Sequence, residues 1–259
     1  MDFYLNGNRI AVEDRGQGQP IMLLHAFPLA GALWAAQMAA LVPNYRVIVP
    51  DLRGFGLSDA PPGPYTMESI AHDLSVILDA FGLKQVILGG LSMGGYVSLA
   101  LLRQNPARIR SLILADTRAT PDSTAARAGR EVHAQLVETQ GVAALADKVI
   151  PGLLAPNAAP ETQARVRALI ERNSPTGIAG ALRGMALRSD SSDLLPQISV
   201  PTLVIVGAED SLTPPAEVYA MHQAIPNSQF VTIPNAGHLT CLEQPAAFTA
   251  AVTAFLGGV

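Results

Sequence analysis

Residues 86–96 read Val-Ile-Leu-Gly-Gly-Leu-Ser-Met-Gly-Gly-Tyr, and this stretch decides the fold. A short aliphatic run precedes the motif Gly-x-Ser-x-Gly, and a run with helical character, residues 96–102, follows it. A serine in a sharp turn between a strand and a helix needs small residues two positions away on either side, and Gly90 and Gly94 meet that need. The helix N-terminus beside Ser92 also favours negative charge. The sequence therefore predicts a nucleophile elbow, with Ser92 as the nucleophile.

Short aliphatic runs recur along the rest of the chain, each bounded by turn residues. They lie at residues 21–24, 46–49, 86–88, 112–114, 203–206 and 230–233. Continuous apolar runs of this length are typical of strands in a parallel sheet that is covered on both faces. Between most of them lie segments of helical periodicity, such as residues 67–81, which Gly82 ends. The pattern predicts an α/β fold with a mostly parallel, doubly wound sheet, and residues 2–16 add an antiparallel hairpin at its edge.

The alternation of strands and helices stops between residues 119 and 195. This stretch has only helical patterns, interrupted by prolines that include Pro151 and Pro160. It is far too long for a single connection in a compact fold. We therefore expect residues 1–118 and 196–259 to form an α/β core, and residues 119–195 to form an all-helical lid inserted over the sheet.

The composition narrows the class of protein. The 259 residues are 49% hydrophobic and 15% charged, which indicates a globular domain with a large core and excludes the disordered and fibrous classes. The net charge of −4 comes from 21 acidic and 17 basic side chains with no basic run, so nucleic acid is not an expected partner. Cys241 is the only cysteine, so an intrachain disulfide and a thiolate metal cage are both excluded. We expect no metal and no cofactor.

The expected location of the protein in the cell follows from the targeting signals that its sequence lacks. The first residues lack the basic and apolar regions of a secretory signal, and the longest apolar stretch, residues 21–42, is interrupted by polar residues and a proline. We therefore expect a cytoplasmic protein without membrane insertion. The sequence does not indicate an oligomeric state.

A serine nucleophile needs a base that accepts its proton and an acid that orients the base. Of the five histidines, three lie in helical patterns beside polar neighbours and are expected on solvated faces: His72, His133 and His222. His238 instead follows the last predicted strand, in the segment Pro-Asn-Ala-Gly-His-Leu. Sites of α/β sheets lie at the carboxyl ends of the strands, and a nucleophile elbow is followed in the chain by the acid and then the histidine. His238 is therefore the predicted base.

Two aspartates follow predicted strands and compete for the role of the acid. Asp210 comes after residues 203–206, one strand before His238. Asp116 comes after an earlier strand, and its alternative role is hydrogen bonding at the entry to the lid. Glu209 is expected to point away from Asp210 if the backbone stays extended there. The position in the chain favours Asp210, with Asp116 as the alternative.

The loop after residues 21–24 is expected to complete an oxyanion hole. This hole combines the backbone N–H of Met93, directly after the serine, with that of Phe27. Pro28 biases Phe27 toward an extended backbone, which would hold its N–H in one direction. His25 is interpreted as a structural residue that steadies this loop by hydrogen bonds, with a plain strand-end histidine as the alternative.

These motifs resemble the α/β-hydrolase fold family, in particular its lidded esterase and lactonase group. The resemblance covers nearly the whole chain, including the oxyanion loop, residues 51–58, the elbow and the segment around His238. The segment Leu-Glu-Gln-Pro at residues 242–245 is similar to that of 3-oxoadipate enol-lactonases and related carboxylesterases. The resemblance implies a hydrolase that acts on ester bonds. Haloalkane dehalogenases and epoxide hydrolases of this fold have an aspartate in place of Ser92, so those two chemistries are disfavoured.

The residues and the resemblance lead to one expected function. We expect a serine hydrolase that cleaves a small carboxylic ester or lactone through an acyl-enzyme, with Ser92, His238 and Asp210 as the catalytic triad. The substrate pocket is expected to be largely apolar and to contain the following side chains: Leu29, Trp34, Leu153, Leu182, Met185 and Leu239. Alternatively, a lid arginine such as Arg118 receives a substrate carboxylate.

Two other readings of the same residues stay open. The triad is also suited to perhydrolysis of a carboxylic acid by peroxide, or to hydrolysis of a carbon–carbon bond beside a carbonyl. A protein of another class, a small-molecule receptor that binds in an inherited pocket, is the second alternative, because a fold does not imply a function.

Overall fold

The computed structural model describes residues 1–258, so the last residue of the predicted core segment, Val259, lies outside the described residues. Within them, eight strands form one sheet: β1 (Asp2–Leu5), β2 (Asn8–Arg15), β3 (Gln19–Leu24), β4 (Tyr45–Pro50), β5 (Val86–Leu91), β6 (Ile109–Ala115), β7 (Thr202–Gly207) and β8 (Ser228–Ile233). Their order across the sheet is β1-β2-β4-β3-β5-β6-β7-β8. β1 pairs antiparallel with β2, and β2 with β4, whereas all later neighbours are parallel. The predicted mostly parallel sheet with an edge hairpin is confirmed.

Helices connect the strands and cover both faces of the sheet. Within residues 1–258 the α-helices are α1 (Ala35–Leu41), α2 (Met67–Ala80), α3 (Met93–Gln104), α4 (Thr124–Gln140), α5 (Val142–Leu153), α6 (Pro160–Glu171), α7 (Pro175–Ala186), α8 (Pro215–Ala224), α9 (Thr240–Glu243) and α10 (Pro245–Leu256). Short 3₁₀ turns occur at Gly31–Trp34, Pro106–Arg108 and Ser192–Gln197. None of the helices in this part of the chain combines the length and the apolar character that a membrane-spanning helix requires.

The alternation of side chains along the strands produces two hydrophobic layers. In β3, Met22 and Leu24 are buried on one face, in a cluster with residues of α2 and α3. Ile21 and Leu23 are buried on the other face, in a cluster with residues of α1 and α10. Because both faces are covered, the central strands are apolar along their whole length, as in other parallel sheets.

Four helices, α4 to α7, occupy the chain between β6 and β7, where the sequence shows no strand pattern. Serine side chains cap two of them: Ser123 accepts a hydrogen bond from the N–H of Ala126, and Ser174 accepts one from that of Gly177. Pro160 begins α6, as expected for a proline at the first helical position. Pro151, in contrast, does not separate two helices but lies in the last turns of α5. The proline is tolerated there because the carbonyl four residues earlier is at an exposed position, where water replaces the missing N–H.

Candidate active site

Ser92 lies between the end of β5 and the start of α3, in a strained backbone conformation with φ 55° and ψ −112°. Added Cβ atoms show why glycines flank it: one at Gly90 would overlap the carbonyl group of Gly94, and one at Gly94 would overlap that of Leu24. Thr117 Oγ1 donates a hydrogen bond of 2.8 Å to the Ser92 carbonyl. The sharp turn that the sequence predicts is therefore present and is held from the neighbouring strand end.

A chain of hydrogen bonds links the three residues that the sequence singles out. His238 Nε2 lies 2.7 Å from Ser92 Oγ, and His238 Nδ1 lies 2.8 Å from Asp210 Oδ2. A carboxylate only accepts hydrogen bonds, so Nδ1 carries the proton and Nε2 is free to accept from the serine hydroxyl. The exposed fraction is 9% for Ser92 and 3% for each of the other two residues. Ser92 is thus the most exposed of the three hydrogen-bonded residues.

Asp210 is fully engaged by hydrogen-bond donors. Its Oδ1 accepts from the N–H groups of Leu212 and Thr213 at 2.8 and 2.9 Å, and its Oδ2 accepts from the hydroxyl of Thr213 as well as from His238. Burial raises the pKa of Asp210, but the hydrogen bond from His238 and the bonds from Thr213 outweigh it, so the pKa lies below its ordinary value. The carboxylate is therefore kept charged beside the imidazole.

Asp116, the alternative acid, lies in a different hydrogen-bond network. Its Oδ1 accepts from the N–H of Gly207 at 2.9 Å, and its Oδ2 accepts from the hydroxyl of Thr240. The side chain is completely buried, and burial together with the nearby charge of Asp210 raises its pKa well above the ordinary value. Asp116 therefore ties the ends of β6 and β7 to the start of α9, rather than bonding at the lid entry. Glu209 is exposed, in agreement with its predicted direction.

His25 connects the loop of the expected oxyanion hole to its neighbour. Its Nε2 accepts a hydrogen bond of 3.0 Å from the N–H of Leu52, and its Nδ1 lies 3.0 Å from the carbonyl of Ala26. Burial lowers the pKa of His25, which favours the neutral ring that this pair of bonds requires. Both ring nitrogens are occupied, so His25 is a structural residue. Phe27 in the same loop lines the cavity that contains Ser92, and Met93 follows the serine as the first residue of α3.

Glu243 in α9 holds the histidine loop from the other side. Its Oε1 accepts hydrogen bonds of 2.9 and 3.3 Å from the N–H groups of Gly237 and Leu239. These two residues flank His238 in the chain. Its Oε2 accepts a bond of 2.8 Å from the N–H of Ala155, which lies between α5 and α6. One carboxylate therefore fixes the histidine loop and a segment of the region between β6 and β7 together. The sequence shows Glu243 only as part of a family-like segment and does not predict these contacts.

A cavity of about 270 Å³ opens onto the Ser92 and His238 side chains. Three of the predicted pocket residues line it: Leu153, Leu182 and Met185. The other three do not, because Leu29, Trp34 and Leu239 are buried in the core layer shared with α1 and α10. Trp34, for example, lies against Phe248, with ring centroids 5.8 Å apart. A larger cavity, of about 650 Å³, lies beside Met1 and Arg172 and contains none of the three hydrogen-bonded residues.

Arg118, which the sequence offered as an alternative partner for a substrate carboxylate, also lines this cavity. So do five basic and polar side chains that the sequence did not place there: Tyr96, Arg130, His133, Lys148 and Thr213. The prediction that His133 lies on a solvated face is wrong, because this half-buried side chain points to the cavity from α4. His133 lies next to Ala134 and four residues before Val137, both buried, so the helical period contained a signal for its position.

The other two histidines that were predicted on solvated faces differ from each other. His72 is exposed as predicted, whereas His222 is half-buried and bonds to Ser228 at 2.6 Å.

Comparisons with known proteins identify the family. The family described as alpha/beta hydrolase fold matches residues 19–245. A 3-oxoadipate enol-lactonase of Acinetobacter baylyi is 32% identical, over 87% of this chain and 84% of that protein. Among solved structures, a thermophilic esterase from Thermogutta terrifontis, crystallised with malate bound, is 46% identical with a TM-score of 0.94, over 97% and 94% of the two chains. The enol-lactonase from Burkholderia xenovorans is 31% identical with a TM-score of 0.91, over 99% and 100%.

These matches extend over the sheet, the elbow and the loops at the carboxyl ends of the strands, which are the parts of the chain that produced the resemblance. The resemblance is confirmed, and the relatives include both esterases and lactonases. The chain belongs to the α/β-hydrolase fold family.

Proposed function

We propose that the protein is a serine hydrolase that cleaves a small carboxylic ester or lactone through an acyl-enzyme. The observation that carries this proposal is the continuous hydrogen-bond chain from Ser92 Oγ through His238 to Asp210. The hydrogen-bond chain ends on a serine whose side chain lines a cavity, whereas the carboxylate at the other end does not line it and is more deeply buried. This is the arrangement that a nucleophile, a base and an orienting acid require.

Acylation begins when Ser92 Oγ attacks the carbonyl carbon of the substrate and His238 Nε2 takes the hydroxyl proton. The carbonyl oxygen becomes negative and is stabilised by the backbone N–H groups of Met93 and Phe27. Asp210 stabilises the imidazolium that forms. When the intermediate collapses, His238 transfers its proton to the leaving oxygen, the bond from the carbonyl carbon to that oxygen breaks, and the acyl group stays on Ser92.

Deacylation repeats these steps with water. His238 removes a proton from a water molecule whose oxygen attacks the acyl carbon, and the same two N–H groups stabilise the oxyanion. The bond to Ser92 Oγ then breaks and Oγ regains the proton from His238. The products are the carboxylic acid and the free enzyme. When the substrate is a lactone, the acid and the alcohol group released from the ester bond belong to one molecule, a hydroxy acid.

The helices between β6 and β7 are proposed to act as a lid that selects the substrate. We assign residues 119–195 to the lid, and residues 1–118 and 196–259 to the core. All groups with a proposed chemical role lie in the core. The lid contributes Leu153, Leu182 and Met185, apolar side chains that shape the cavity. An apolar wall of this kind discriminates acyl groups by length and shape.

Labelling with a fluorophosphonate probe tests the proposal, because such probes react with serines that a neighbouring base activates. We expect stoichiometric labelling of the peptide that contains Ser92, and loss of labelling in Ser92→Ala. The unlabelled protein should hydrolyse short acyl esters and lactones, and Ser92→Ala should lose this activity together with the labelling. The same assays with added peroxide show whether water or peroxide accepts the acyl group. A protein that binds these compounds without labelling or turnover would instead be a receptor.

A further inference from the structure

The lining of the active-site cavity is basic. Four side chains that carry or accept a positive charge line it: Arg118, Arg130, His133 and Lys148. Within the described residues, no aspartate or glutamate side chain lines the same cavity. The chain as a whole has a net charge of −4, so the positive lining is a local property of this site.

The two arginines differ in how far their charge is neutralised. Arg118 forms an ion pair of 3.3 Å with Glu217, which balances its charge. Arg130 shares the carboxylate of Asp122 with Arg188, so a single negative charge faces two guanidinium groups. The neighbourhood of this cluster therefore keeps excess positive charge.

Lys148 on α5 is the least compensated of the four. Among residues 1–258 no carboxylate lies within ion-pair distance of its ammonium group, and the preceding residue, Asp147, pairs with Arg167. Lys148 is exposed, which places its charge at the outer part of the cavity, while its neighbour His133 is half-buried. Burial lowers the pKa of His133, and the charges of Arg130 and Lys148 lower it further, so both cations act on the ring.

We propose that the cavity selects esters or lactones that carry a free carboxylate, with Lys148 and His133 as the residues that receive it. The inference rests on the proposed function, since it names the substrate class of the site at Ser92. An anionic group placed at this end of the cavity is attracted by Lys148 and accepts a hydrogen bond from the His133 ring. The apolar wall formed by Leu153, Leu182 and Met185 contacts the carbon chain between that carboxylate and the scissile carbonyl.

Matched esters test the charge preference. In the first pair, monoethyl glutarate, which carries the carboxylate on the acyl side, is compared with ethyl butyrate. In the second pair, 4-acetoxybutyrate, which carries the carboxylate on the alcohol side, is compared with butyl acetate. We expect kcat/KM to favour the anionic member of at least one pair, and the pair shows which side of the ester faces Lys148. In Lys148→Gln the anionic-to-neutral ratio should fall about three- to tenfold, and in Lys148→Glu it should fall further.

The chain provides a matched control, since Lys84, its other lysine, is exposed on the loop before β5 and outside the cavity. Lys84→Gln should leave the ratio unchanged. The preference in the unsubstituted protein should also weaken when sodium chloride is raised from about 0.05 M to about 0.5 M, because the screening length shortens from above 10 Å to a few ångströms.

Binding to the Ser92→Ala variant separates this inference from the proposed function. Monoethyl glutarate or 4-acetoxybutyrate should bind that variant more tightly than its neutral partner, and Lys148→Gln in the same background should remove the difference. If binding follows this pattern but no ester is hydrolysed, the inference stands and the proposed function fails. If neutral esters are hydrolysed at Ser92 while neither anionic probe is preferred, or Lys148→Gln lowers both members of a pair equally, the inference is overturned and the proposed function stands.

Discussion

Replacing Glu243 by alanine should loosen the loop that carries His238 and the adjoining segment at Ala155 at the same time. The carboxylate accepts three backbone hydrogen bonds, from Gly237, Leu239 and Ala155. Hydrogen bonds to a charged group contribute about 1.5–3 kcal/mol each. Burial raises the pKa of Glu243, however, so desolvation of the carboxylate offsets part of this gain. The half-buried site also lets water replace some of the lost bonds.

We therefore expect Glu243→Ala to lower the free energy of unfolding by about 3 kcal/mol, which corresponds to a fall in Tm of about 6–12 °C for a chain of this size. Glu243→Gln keeps one oxygen that accepts from Gly237 and Leu239 but turns an N–H group toward Ala155, so its loss should be about 1–2 kcal/mol. Well below the Tm, a displaced imidazole should lower kcat on the order of a hundredfold in the alanine variant.

Urea unfolding, ester turnover and the rate of fluorophosphonate labelling measure these effects on the same samples. Glu209→Ala is the matched control, because Glu209 is an exposed carboxylate next to Asp210 that makes none of these bonds. The labelling rate should fall together with kcat, since both need His238 in place, whereas KM should change less. An alanine variant with wild-type stability and a wild-type labelling rate would refute the view that Glu243 holds the histidine loop.

The remaining predictions concern the two aspartates and the lid. Asp210→Asn should preserve the geometry but favour the wrong imidazole tautomer, lowering kcat on the order of ten-thousandfold, whereas Asp116→Asn should change kcat modestly; the reverse ranking would assign the acid to Asp116. Because the pKa of Asp116 is raised above its ordinary value of 3.8, its stabilising contribution is present below that value and is lost as the pH rises through the folded-state pKa. Urea unfolding should therefore show the stability of Asp116→Asn relative to wild type increasing with pH, and a constant difference would contradict this. Leu182→Ala and Met185→Ala should reorder kcat/KM among acyl lengths by about 1–3 kcal/mol of discrimination without changing the labelling of Ser92; loss of both turnover and labelling in folded variants would indicate an unidentified catalytic group in the lid.

The residues of the hydrogen-bond chain were predictable because their signals are local. Ser92 lies in a motif with a strand before it and a helix after it, and Asp210 and His238 each follow an aliphatic run. A parallel sheet brings the carboxyl ends of its strands to one edge, so recognising the strands was sufficient to group these residues. The hairpin at residues 2–16 was equally local, since its turn residues separate two short alternating strands.

The pocket was less predictable because its lining depends on which face each side chain takes. Leu29 and Trp34 follow the loop of the expected oxyanion hole in the chain, but the backbone turns there and buries them in the layer beside α10. His133 was misassigned because its polar neighbours concealed the buried stripe on α4. The contacts of Glu243 with Ala155 join residues 88 positions apart, and no periodicity or motif reports such a distance.

The turnover of Ser92→Ala tests the central claim most directly. With p-nitrophenyl acetate as substrate, kcat of this variant should fall on the order of a millionfold. Its unfolding curve should match that of the wild type. Ser98→Ala is the matched control, because Ser98 lies in α3, the helix that Ser92 precedes, and its hydroxyl donates a hydrogen bond of 2.8 Å to the Gly94 carbonyl. This variant should keep kcat near the wild-type value. A folded Ser92→Ala protein that retains even a tenth of the wild-type kcat would contradict the assignment of Ser92 as the nucleophile.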